Sequence, residues 1–224
     1  QVRFRHQFNK PGSHVIEVIT DADSLKADNI FRASIPVWDK VPVLVVNGDP
    51  DAEPLKGETD FLQIALQPYR EGGEKDLTDL LETRVINAVD FSAAAIGQTR
   101  VVILANVSKL TLGQLNELQT FVKDGGGVLI FGGDQIDQRW YNDQLLPYGL
   151  LPARLGPLAD KQKNTEPFTR IMVQRFDNPA LEIFSNPRNG DLASAEIRQW
   201  HRTLENPDDD LVRPLARLET GDAF

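Results

Sequence analysis

The sequence predicts an α/β protein built on a mostly parallel sheet, and three observations predict it. Val43–Val46 and Val101–Leu104 are continuous apolar runs, as expected of parallel strands covered on both faces. A helix-period stripe of Leu112, Leu115, Leu118, Phe121 and Val122 separates the second run from a third, Val128–Phe131. Gly132-Gly133-Asp134 then forms a tight turn, the place where an open α/β sheet usually carries its ligand or nucleophile.

Each element has a local reason. The first forty residues have strand character: Val2–Arg5 alternates, His14–Thr20 is largely apolar with Glu17 polar, and Ile30–Val37 reads as extended. Pro11-Gly12 is a turn signal, and Asp21–Asn29 is polar and turn-rich. Residues 1–40 therefore read as a small β element, the end of a β-sandwich or a hairpin appendage. Residues 41–224 read as the α/β domain. Its first strand ends at the loop Asn47-Gly48-Asp49-Pro50. A helix is predicted from Gly57 to Gln67, since Phe61, Leu62, Ala65 and Leu66 share a face and Pro68 stops it. Leu77–Glu82 is expected as a short helical turn and Val85–Val89 as the next strand.

The best-specified helix follows. Thr111 with Gln114 three residues on fits a capping box, and Gly125 is placed as a left-handed helix stop. Beyond Asp134, Trp140–Leu146 reads as a short helix and Pro147–Pro157 as a turn-rich loop. Arg170–Val173 and Glu196–Trp200 are expected strands, Pro179–Phe184 a helical turn, and Asn206–Asp210 an acidic loop.

Composition narrows the function classes. An apolar fraction of 41% supports a packed core. The net charge of −9 is spread along the chain and argues against nucleic acid or an anionic membrane as partner. Cysteine is absent, which excludes disulfides, thiolate metal sites and a cysteine nucleophile. No apolar run approaches the roughly 20 residues of a membrane span, and no signal peptide opens the chain. A start at Gln1 and an end at Phe224 read as a piece excised from a longer protein.

The carboxyl ends of the predicted strands converge on Asn47, Gly48, Asp49, Asn106, Gly132, Gly133 and Asp134, the candidate ligand-binding residues. Asp134 has two readings: a base or ligand projecting over the sheet edge, or the cap of the next helix. Asn47, Asp49, Asp51 and Glu53, with Glu58 and Asp60 beyond, resemble a cation-binding loop in carboxylate density. Pro50 and Pro54 interrupt them and no glycine follows at the sixth position, so a solvated loop is expected and no metal is assigned. Asp21, Asp23, Asp28 and Asn29 fit turn chemistry.

His6, His14 and His201 are far apart in sequence, and Gly-x-Ser-x-Gly is missing around Ser108, so no catalytic residue is assigned. Gly125-Gly126-Gly127 precedes its strand and lacks the Lys-Ser/Thr of a phosphate loop. No cofactor is expected. Trp38, Trp140 and Trp200 read as packing residues rather than a sugar or peptide groove.

Val43–Asp49, Val101–Val107, the helix, and the run Gly-Gly-Gly-Val-Leu-Ile-Phe-Gly-Gly-Asp from Gly125 to Asp134 together resemble the class I glutamine amidotransferase-like fold. That resemblance implies a three-layer, flavodoxin-like, doubly wound and mostly parallel sheet. Asp21–Asn29 followed by Val41–Asp49, and Asn142–Ala153 with its Leu-Leu-Pro pattern, are similar to the region downstream of the von Willebrand A domain in large bacterial membrane proteins of the aerotolerance (Bat-like) type. The likeness runs from Val15 to Leu158. It implies a membrane-anchored whole, with this piece on the extracytoplasmic (periplasmic) face. Its implied partners are other domains of the same chain or a membrane-associated complex, with no direct membrane contact from this piece. True class I amidotransferases carry a cysteine at the turn that Gly132, Gly133 and Asp134 occupy here, so glutaminase chemistry is not carried over. The expectation is a non-catalytic binding or interaction module, a pseudoenzyme. Its rivals are a hydrolase using Asp134, or a metal held by Asp49 and Asp134, and an architectural spacer.

Overall fold

The computed structural model describes residues 3–20, 29–53, 55–70, 78–161, 167–172, 178–205 and 211–223. Val2, Asp21, Asp23, Asp28, Pro54, Leu77, Val173 and Asn206–Asp210 lie outside them.

Strands β1 (Gly12–Ile19) and β2 (Ile30–Val37) form an antiparallel hairpin, with Gly12 opposite Val37 and Ile19 opposite Ile30. Pairing by twos places Ile16, Val18, Phe31, Ala33, Ile35 and Val37 on one face and Val15, Glu17, Ile19, Ile30 and Arg32 on the other. Glu17 and Arg32 pair at 2.5 Å. Of the strand expected over Val2–Arg5, the described residues Arg3–Arg5 form no ladder, and neither do those up to Phe8. Phe8 instead meets the His6 ring edge-on and lies tilted against the His14 ring.

The core is a four-stranded parallel sheet in the order β4-β3-β5-β6, from β3 (Val41–Asn47), β4 (Leu81–Asn87), β5 (Val101–Ala105) and β6 (Gly127–Phe131). Strand β3 pairs with β4 on one side and β5 on the other, so the strand order turns back between β3 and β5. Helix α1 (Asp60–Leu66) connects β3 to β4, and α3 (Leu112–Lys123) connects β5 to β6. The short α2 (Ala93–Ile96) lies between β4 and β5.

Strand alternation sorts the apolar residues into two layers. Leu44, Val46, Val102 and Leu104 pack on Leu115 and Leu118 of α3, with Tyr141, Leu145, Leu150 and Leu151 completing that layer. Val43, Val45 and Ile103 pack on Leu62 and Leu66 of α1. Helix α3 follows its sequence signals. Thr111 and Gln114 close a capping box, and Gly125, at φ 93°, takes the left-handed position that glycine adopts without steric penalty. The Gly125 N–H to Val122 and Gly126 N–H to Phe121 bonds then satisfy carbonyls at the helix end.

Two expectations near β4 are corrected. Leu81 and Glu82 begin the strand rather than end a helical turn, and the strand stops at Asn87, with Ala88–Asp90 in a 3-10 turn. Glu82 and Arg84 lie exposed on this edge strand, which removes the continuous apolar run that marks its neighbours. The Arg84 guanidinium reaches the Ala95 carbonyl, and the Thr83 hydroxyl donates to Gln67.

After β6, α4 (Gln138–Trp140) runs into a π-helical turn over Tyr141–Leu145, closed by Leu146 N–H to the Tyr141 carbonyl at 2.9 Å. The loop expected over Pro147–Pro157 becomes strand from Arg154 onward. Strand β7 (Arg154–Asp160) pairs antiparallel with β9 (Gln199–Leu204), with an irregularity between Leu155 and Leu158 that accommodates Pro157. The Asn142 side chain holds β7 to the π turn, donating to the Leu155 carbonyl and accepting its N–H, each at 2.8 Å.

Strands β8 (Ile171–Met172) and β10 (Arg217–Leu218) make a second small ribbon. Its core is Ile171, Ala216 and Leu218, with Leu192, Ile197 and Trp200 against it. The segment expected as strand at Glu196–Trp200 forms its ladder later, from Gln199, with Ile197 in an isolated bridge to Thr169. The helical turn expected over Pro179–Phe184 is 3-10 over Glu182–Ser185. No helix among the described residues is long and apolar enough to cross a membrane.

Candidate functional site at the carboxyl edge of the sheet

The point where the strand order turns back is where open α/β sheets bind ligands. Here it lies between the ends of β3 and β5, at Gly48 and Asn106. The two loops are stitched together: Gly48 N–H donates to the Ala105 carbonyl at 2.9 Å, and a Cβ on Gly48 would stand 2.0 Å from the Asn106 carbonyl oxygen. Only glycine permits that approach.

Asn106 organises the site. Its backbone is left-handed, at φ 50°, a conformation that asparagine tolerates better than most residues. Its N–H donates to the Phe131 carbonyl, which joins the end of β6 to the loop after β5. Its side chain is buried (1% exposed) and makes three bonds, each at 3.0 Å. Nδ2 donates to Glu58 Oε1 and to Asp134 Oδ1, and Oδ1 accepts the Gln135 N–H. Both donors and an acceptor lone pair are thus directed at the protein itself. A Cβ on Gly133 would fall 2.3 Å from Asn106 Cγ, so the asparagine side chain fills the space above the turn.

Asn47 plays the matching part at the end of β3. Its Oδ1 accepts the Asp49 N–H at 3.1 Å, shaping the loop, and its Nδ2 donates to the buried Thr59 hydroxyl at 3.1 Å. Thr59 stands at the start of α1 but does not cap it with its side chain. Its hydroxyl is turned to Asn47 instead, so the sheet edge holds the helix start.

The result is a rim of exposed carboxylates. One oxygen each of Asp49, Glu58 and Asp134 lies within 4.8 Å of the other two. Solvent screens the repulsion among them, and the Asn106 amide bridges two of the three. As a donor set this is oxygen-only, the type that suits a hard divalent cation.

All seven sequence-predicted residues fall on this edge, but in different roles. Asp49 and Asp134 face solvent, whereas Asn47 and Asn106 are buried and hold the loops. The two glycines at Gly48 and Gly133 are spacers that let Asn106 in, and Gly132 lies beside Ile136 and His201, whose Cδ1 and Cδ2 stand 3.3 and 3.7 Å from where a Cβ would be. The cap reading of Asp134 is corrected: Asp137 caps α4, accepting the Trp140 N–H at 3.0 Å, while Asp134 accepts from Asn106.

Glu58 belongs to the rim although sequence reasoning left it among the solvated loop acids. Its signal was position, immediately before the helix that follows β3. The rest of that loop behaves as turn chemistry. Asp51 accepts the Glu53 N–H, Glu53 pairs with Lys56, and Asp60 accepts the Gly57 N–H.

The histidines and tryptophans pack. His14 Nε2 bonds the Lys10 carbonyl and His201 Nε2 the Gly133 carbonyl, at 2.8 and 3.3 Å. Arg100 lies over the Trp38 ring, Trp140 meets Tyr141 edge-on, and Trp200 donates to Asp222. No protein-family model, no curated protein and no solved structure matches this chain.

Proposed function

We propose that this chain is a non-catalytic binding or interaction module, built on a three-layer, doubly wound, glutamine amidotransferase-like sheet. The turning back of the strand order between β3 and β5, with α1 and α3 against alternate sets of strand residues, supports that architecture. One observation carries the functional reading. At the turn where the resembled enzymes carry their nucleophile, the chain has Gly132, Gly133 and Asp134, and a Cβ on Gly133 would fall 2.3 Å from Asn106 Cγ. A nucleophile side chain at Gly133 would displace the residue that holds the rim together. The recognition surface is then the outer rim of Asp49, Glu58 and Asp134, which favours a positively charged ligand or partner group. Its place in a membrane-anchored protein, on the extracytoplasmic face, rests on the sequence resemblance.

The oxygen-only trio favours a second reading, a hydrolase with a cation between Asp49 and Asp134. An assay separates the two. Glutamine, p-nitrophenyl acetate and p-nitrophenyl phosphate are each incubated with the chain and millimolar Mg²⁺ or Ca²⁺. The module gives no turnover above buffer. Cation-dependent turnover that Asp134→Asn abolishes overturns it.

A filled switch point also suits an architectural spacer, which carbodiimide labelling distinguishes. In the full-length protein within its membrane, a binding rim has Asp49, Glu58 and Asp134 protected relative to the isolated chain. A spacer leaves their labelling unchanged.

A further inference from the structure

We draw no further inference here: the strongest candidate, the exposed carboxylate cluster of Asp49, Glu58 and Asp134 at the carboxyl edge of the sheet, belongs to the site already described and, among the described residues, has no unpartnered polar side chain nine-tenths buried and aimed into it, while nothing in the structure shows what covers the exposed apolar residues of the β1–β2 hairpin or the outer face of β6.

Discussion

On the α3 side of the sheet, Leu44, Val46, Val102 and Leu104 are sealed by α3, the π turn and the chain up to Leu155. On the α1 side, Val43, Val45 and Ile103 meet, among the described residues, one seven-residue helix, and Leu129 and Phe131 of β6 remain 51% and 50% exposed. Residues of β6 alternate between these fates although all are apolar: Val128 and Ile130 join the first layer, Leu129 and Phe131 face outward. Strands β3, β5 and β6 are apolar on both faces, so their burial is decided by what arrives to cover them. The contrast also explains the polar rim. Helix α1 has Phe61 and Ile64 exposed and only Leu62 and Leu66 against the sheet. Its start is held instead by Asn47 on Thr59 and Asn106 on Glu58.

The largest effect should come from the sealed side. Leu118→Ala is expected to lower unfolding free energy by about 3–4 kcal/mol, because the surrounding core cannot collapse into the space. Leu62→Ala on α1 should cost only about 1–2 kcal/mol, as that side chain is partly exposed already. Urea unfolding of both variants measures the difference, and equal losses would break the distinction between the two faces.

Asn106→Ala tests whether polar contacts rather than apolar area hold α1. It removes three hydrogen bonds and leaves a less tolerant residue at a left-handed backbone position, a loss of about 3 kcal/mol. Hydrogen exchange should speed at Gln135 and in the first turn of α1, while α3 stays protected. Asn106→Asp keeps the shape but sets a fourth carboxylate against Glu58 and Asp134, and should fail in the same places. Unchanged exchange at α1 would mean that Leu62 and Leu66 suffice.

Tyr141 sharpens the account of the sealed side. Its hydroxyl donates to the Val107 carbonyl at 2.7 Å, and burial pushes the phenol well above its ordinary value. Tyr141→Phe should cost about 1 kcal/mol at neutral pH. The sign of the pH effect follows from the raised value. The native state retains the phenolic proton where the unfolded chain releases it, so the stabilisation is complete below the unfolded value of about pH 10 and is lost as pH rises beyond it. The difference between wild type and Tyr141→Phe in urea midpoint, followed from pH 8 to pH 11, should shrink only at the alkaline end.

Leu129→Lys should change stability by less than about 0.5 kcal/mol in the isolated chain, since the side chain gives up little buried area. A loss of 2 kcal/mol or more by urea unfolding would show the α1 side to be better covered than its exposure indicates.

Much of this was legible in the sequence where local chemistry and burial agree. Val43–Val46, Val101–Leu104 and Val128–Phe131 lie within strands, and α3 runs over Leu112–Lys123 with its cap and glycine stop in place. Where they disagree, legibility failed. Strand β4 is interrupted by Glu82, Thr83 and Arg84, with Glu82 and Arg84 exposed, and β7 hides behind Gly156-Pro157. At the site, the loop residues were readable from their positions at strand ends. Their division into buried holders and exposed carboxylates was not, because Asn47 and Asp49 look alike in a polar loop.

By itself the sequence determined the parallel strands and the helix between them, since hydrophobic period, capping and glycine conformation are properties of neighbouring residues. It also determined that no cysteine nucleophile stands at the turn. Only the tertiary structure decided that Asn106 occupies the space above Gly133 and that Glu58 joins Asp49 and Asp134. Those contacts link residues 28 and 48 positions apart, and they exist because three separate strand ends and one helix start arrive at one edge.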